Sequence, residues 1–146
     1  MKNVSRLAIT LAVLLGCSRT TSSAPYRTAS LGADAAEAEV TGIITGALEA
    51  EAAGRNADSL YTSSAVIVVN GRTRSVAPFF AGVGTGGEVA ISSSQMEIQG
   101  GLAWGLVEYR WSSREGVTRE GRATIVLRPG SDGRWRIQHV HSSSPR

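Results

Sequence analysis

Glu88–Ile98 (EVAISSSQMEI), Leu102–Trp111 (LAWGLVEYRW), Val117–Arg128 (VTREGRATIVLR) and Trp135–His141 (WRIQHVH) decide the fold. In each segment apolar and polar residues alternate with a period of two, the pattern of a strand with one face buried. Gly100-Gly101, Ser112–Gly116 and Pro129–Gly133 separate them, and all three carry turn chemistry. Four successive strands joined by such short links form an antiparallel meander.

Upstream the period lengthens. Val40, Ile43, Ile44, Ala47 and Leu48 fall at i, i+3, i+4, i+7 and i+8, one apolar stripe along a helix. Asp34 and Glu37 have the spacing of a capping box at its start, and Gly54 marks its end. Gly42 and Gly46 inside it each cost about 1 kcal/mol against alanine, which close approach to a sheet or a second subunit would offset. Asn56 is placed to cap a short second helix holding Asp58, Leu60 and Tyr61. Ala65–Val69 (AVIVV) reads as a strand closed by the Asn70-Gly71 turn, and Ser75–Val83 as a third short helix or turn anchored by Phe79 and Phe80. Helices followed by a meander specify an α+β domain, with N-terminal helices packed on one face of a curved antiparallel sheet.

The first sixteen residues stand apart. Met1–Arg6 is short and basic, and Leu7–Leu15 is apolar except for Thr10. This run is too short to span a bilayer, which takes about 20 apolar residues, and it has the layout of a secretory signal. Leu14-Leu15-Gly16-Cys17 resembles the lipobox of bacterial lipoproteins, which implies cleavage before Cys17 and acylation of that residue. Several acyl chains anchor durably where one does not. Ser18 after the cysteine, by the same resemblance, directs the protein to the periplasmic face of the outer membrane. The alternative is a soluble secreted or periplasmic protein cut after Ala24. Residues 17–33 read as a flexible, lipid-anchored tether rich in Ser and Thr, and residues 34–146 as the domain. Cys17 is the only cysteine, so no internal disulfide forms. Without Lys2 and Arg6 the chain carries 13 basic and 12 acidic residues, so its pI near 9.6 is no argument for nucleic-acid binding.

Gly121–Leu127 (GRATIVL), the Asp132-Gly133 turn, Trp135-Arg136-Ile137, and His139 and His141 before Ser142 resemble the end of a SnoaL-like domain. The upstream order, a long helix, Asp58 near Leu60-Tyr61, an apolar strand, a glycine turn and a segment bearing phenylalanines, is similar as well. The resemblance runs from about Asp34 to Pro145. It implies the cone-shaped nuclear transport factor 2-like (cystatin-like) fold, with a pocket between sheet and helices and a homodimer through the sheet face. The wider group includes ketosteroid isomerases, epoxide hydrolases, polyketide cyclases and a kinase association domain, so the fold does not name the chemistry.

Simple alternation puts Trp135, Ile137, His139 and His141 on one face of the last strand, the expected pocket side. There His139 or His141 would be a candidate base, with Tyr61 or Glu108 as donor. Trp104 and Glu108 share a face, and Tyr109 points the other way. Tyr61, Trp104, Glu108, His139 and His141 are therefore the expected ligand-binding set. For Glu108 the competing reading is a solvated charge opposite Arg122 or Arg119. No metal-binding spacing such as HExxH occurs, and no metal or cofactor is expected. Gly82–Glu88 (GVGTGGE) lacks the Lys-Ser/Thr and following helix of a phosphate loop, so it reads as a connector. Arg110, Arg114, Arg119 and Arg122 alternate with Glu108, Glu115 and Glu120, a mixed-charge surface. The function expected is binding of a small apolar or amphipathic molecule. The alternatives are an acid–base enzyme and a dimeric scaffold.

Overall fold

The computed structural model describes residues 26–145; the expected signal and Cys17 lie outside them. Helix α1, Tyr26–Ala52, is followed by one 3-10 turn, Asp58–Leu60, and six strands: β1 (Tyr61–Val69), β2 (Arg72–Arg74), β3 (Gly87–Gln99), β4 (Leu102–Ser113), β5 (Thr118–Pro129) and β6 (Trp135–Ser143). The strands form one sheet in the order β2-β1-β6-β5-β4-β3. The β3–β6 meander is antiparallel as expected, but β1 joins β6 in parallel, so the sheet is mixed.

α1 buries its stripe against the sheet: Val40, Ile44, Ala47 and Leu48 are fully enclosed, with Ile43 packed at their side. The helix starts at Tyr26 rather than at Asp34, so residues 26–33, expected in the tether, are helical. Pro25 precedes that start in the sequence, and proline is tolerated ahead of a first helical turn but not within a helix. Asp34 and Glu37 are exposed on the helix surface instead of capping it. At the other end Gly54 takes φ 66°, Arg55 N–H donates to the Ala50 carbonyl at 2.7 Å and Gly54 N–H to Glu51 at 3.0 Å. That is a Schellman stop. Gly42 faces open space, and Gly46 would meet only Leu60 at an ordinary 3.7 Å, so neither serves a close approach within this chain.

Asn70 (φ 49°) and Gly71 (φ 76°) turn β1 into β2, as the Asn-Gly pair foretells. The expected second helix shrinks to the 3-10 turn, because Tyr61 already belongs to β1. Residues 75–86 form an irregular strap rather than a third helix. Gly84 in the strap and Gly87 at the start of β3 have a packing reason. A Cβ on Gly87 would run into the Ser112 carbonyl and the Trp111 indole, and one on Gly84 would sit 2.9 Å from the same ring. Gly87→Ala is expected to lower stability by about 1–3 kcal/mol through this overpacking; urea unfolding measures it, and an unchanged midpoint would contradict the contact.

Candidate functional site

The inner face of the sheet is a filled core. Phe80, Tyr109, Ile125, Leu127, Ile137 and Val140 are essentially inaccessible, and Phe80 meets Tyr109 edge-on with ring centroids 6.0 Å apart. Three polar side chains of this core hold the strap, while the buried Trp111 indole N–H has no partner among the described residues. Glu51, on the last turn of α1, accepts the N–H of Phe79 (2.7 Å) and of Phe80 (3.0 Å) with its two oxygens. Ser142, on β6, accepts the Ala81 N–H and donates to the Phe79 carbonyl, both at 3.0 Å. The Tyr109 hydroxyl, on β4, donates to the Ala81 carbonyl at 2.8 Å. Three elements distant in sequence thus satisfy successive backbone groups of residues 79–81, which explains why that segment needs no helix.

Beside the strap a half-open cleft of about 680 Å³ remains. Tyr61, Phe79, Val76, Pro78 and Val83 form its apolar wall; Glu51 lies inside, with Arg55, Asn56 and Asp58 also lining it. Tyr61 packs edge-on against Phe79 at 5.3 Å. Asn56 organises the rim: its side chain accepts the Asp58 N–H at 2.7 Å and donates to the Asp58 carboxylate at 2.9 Å. Burial pushes the Glu51 carboxyl above its ordinary value, against the two backbone donors. Burial raises the Tyr61 hydroxyl too, and the negative charges of Glu51 and Asp58 add to it, so the phenol stays protonated.

Of the residues expected to bind ligand, only Tyr61 lines this cleft. His139 and His141 face the opposite way. Leu127 pairs with Ile137 but Val126 pairs with His139, so Gln138 is an extra residue in β6. Such a bulge reverses the alternation: Ile137 points inward before it, Val140 and Ser142 after it, and the histidines are turned to the outer face. β1 is irregular at the same place, between Tyr61 and Val66. The Gln138 side chain fills the gap, donating to the Ser64 carbonyl at 3.1 Å and accepting from Thr62 at 3.2 Å.

Trp104 and Glu108 also lie on the outer face. Ala103, Gly105, Val107, Tyr109 and Trp111 point inward; where α1 crosses at Gly105 there is room for no side chain, since a Cβ there would collide with Met96 and crowd Ile44. Glu108 stands exposed opposite Arg122 in the ladder, in line with the solvated reading. The expected base–donor pairing of a histidine with Tyr61 is therefore not assembled within one chain. Glu51, missed in the sequence, is the carboxylate that enters the cleft. Its place four residues after Ala47 puts it on the apolar stripe, and that was the signal.

A curved sheet with a helix across its inner face is shared with known structures. One is a nuclear transport factor 2-like protein of unknown function from Pseudomonas putida, 20% identical, with a TM-score of 0.59 over 77% of this chain and 88% of that one. The fold is the nuclear transport factor 2-like, or cystatin-like, fold. A putative ketosteroid isomerase from Parabacteroides distasonis has the same fold (TM-score 0.58, 11% identity, 73% of this chain and 86% of that one). So has the association domain of CaMKII from C. elegans (TM-score 0.59, 17% identity, 77% of this chain and 98% of that one). No family model matches the sequence, and no curated protein matches it. Within the nuclear transport factor 2-like fold, this chain keeps the helix-on-sheet layering, and the strap adds Phe80, Ala81 and Val83 to the core.

Proposed function

We propose that this protein is a non-catalytic binding module of the SnoaL-like type that holds a small amphipathic molecule in the cleft beside Tyr61. The cleft itself carries the reading. Its volume of about 680 Å³ lies within the roughly 300–1,000 Å³ usual for small-molecule sites. It also pairs an aromatic wall with a few polar groups at one end. Catalysis is the weaker reading because a general base must reach the substrate proton directly. The buried carboxylate that lines the cleft, Glu51, already gives both oxygens to the strap backbone.

Native mass spectrometry of the protein purified from a bacterial envelope tests the reading. A small-molecule mass should accompany the wild type and be lost in Tyr61→Ala and Val76→Glu; Val76 is an exposed rim residue whose change spares the core. An adduct retained by both variants would overturn the site.

Export and lipid anchoring at Cys17 belong to the same proposal and rest on the signal and the Leu-Leu-Gly-Cys motif. A tethered binder at the periplasmic face of the outer membrane would keep its ligand near the envelope. Labelled palmitate should enter the wild type and not Cys17→Ser. Labelling of both would contradict lipidation at that residue.

A second reading, association of two copies through the outer sheet face, is favoured by its apolar character. Val66, Leu102, Trp104 and Leu106 are all more than a third exposed there. Four strands about 4.8 Å apart and about 30–40 Å long present on the order of 700 Å², close to the roughly 800 Å² per partner of a standard interface. Both readings hold together: a homodimer through the sheet leaves the cleft open at the other side of the layer.

A further inference from the structure

We propose that His139 and His141 are half of a zinc-class metal site that the same two histidines of a second copy complete across the outer sheet face. The inference rests on the homodimer reading above. The bulge at Gln138 turns both imidazoles to one face at positions i and i+2 of β6. Their Cα atoms are then about 7 Å apart, close enough for two rings to converge on one ion at the usual Zn–N distance of about 2.0–2.1 Å.

The surroundings suit a cation. The ladder places Val66, His139, Val126, Trp104 and Glu97 in one row across the sheet, and Val68, His141, Thr124, Leu106 and Gln95 in the next. Neither row contains a lysine or arginine, and Glu97 is their one ionised group. The apolar neighbours would shield a bound ion from water. The ion pairs among the described residues, Arg110–Glu120 and Arg136–Asp132, do not use either histidine. Burial does not consume them either: His141 is exposed and His139 half-exposed.

One chain cannot finish the site. No group of three or more metal-ligating side chains occurs among the described residues, whereas structural zinc takes four ligands in a tetrahedron. A two-fold axis running across the strands between these two rows brings four imidazoles together and stacks each row on its neighbour in the second copy. All-imidazole ligation selects zinc, copper or nickel over magnesium and calcium.

The test is a titration of the metal-stripped protein with Zn²⁺ alone, followed by calorimetry and by mass in sedimentation equilibrium. The expected result is one zinc per two chains in a dimer, with affinity falling roughly tenfold or more in His139→Asn and in His141→Asn. Both changes are on the outer face and spare the core. With Co²⁺ in place of zinc, the intense visible bands of a tetrahedral site should appear and vanish in the same variants. A dimer that binds no zinc would overturn the metal site and leave the homodimer reading standing. A monomer with and without zinc would overturn both. Zinc bound with equal affinity by both variants would also overturn the site.

Discussion

Phe80→Ala should lower the free energy of unfolding by about 3–5 kcal/mol, the usual cost of truncating a buried phenylalanine. Phe80 has no exposed surface and belongs to the buried core between α1 and the sheet. Its edge contact with Tyr109 would add about 0.5–1.5 kcal/mol beyond area. The strap can relax only partly, because Glu51, Ser142 and Tyr109 hold its backbone on both sides of the ring. Urea unfolding with an unchanged slope would measure the loss. A loss below about 1 kcal/mol would mean that the ring does not fill the core, since even smaller core truncations cost that much.

Glu51→Ala should cost about 2–4 kcal/mol, because it leaves the N–H groups of Phe79 and Phe80 without their acceptors. Glu51→Gln should cost less, since its amide oxygen keeps one of the two bonds. The pair also separates charge from hydrogen bonding. The folded-state pKa of Glu51 is raised above 4.5, with burial as the dominant cause. As pH rises from below 4.5, the unfolded chain therefore releases its proton first. Over that window the native state binds more protons, so stability contributed by this group is full at low pH and lost as pH climbs through the raised value. Wild type should lose ground to Glu51→Gln across that interval and then run parallel to it. The opposite slope would mean that the two backbone donors outweigh desolvation and favour the anion.

The strands, their turns, the helix stripe and the Asn70-Gly71 hairpin were legible because each rests on local chemistry: a period, a turn residue, a β-branched run. The faces of two strands were not. On β6 the alternation is broken by Gln138, whose partners Thr62 and Ser64 lie more than seventy residues away, so no local pattern marks the bulge. On β4 both faces are apolar. Trp104 and Leu106 on one side compete with Val107, Tyr109 and Trp111 on the other, so side-chain size does not choose the inward face. The small residues Ala103 and Gly105 were the better guide, since α1 crosses there and leaves no room. The strap is hidden from sequence for a related reason. Residues 79–81 find their partners on α1, β4 and β6, and a segment anchored mainly by such long-range bonds carries no helical signature of its own.

Binding in the cleft is read most directly by a residue-resolved amide NMR titration with a small amphipathic probe, 4-phenylbutanol. The account predicts shifts concentrated at Ala47, Glu51, Tyr61, Phe79 and Val83, the residues around the cleft, and abolished by Val76→Glu. Shifts confined to Trp104, Leu106, His139 and His141 would contradict it, placing the binding surface on the outer face of the sheet.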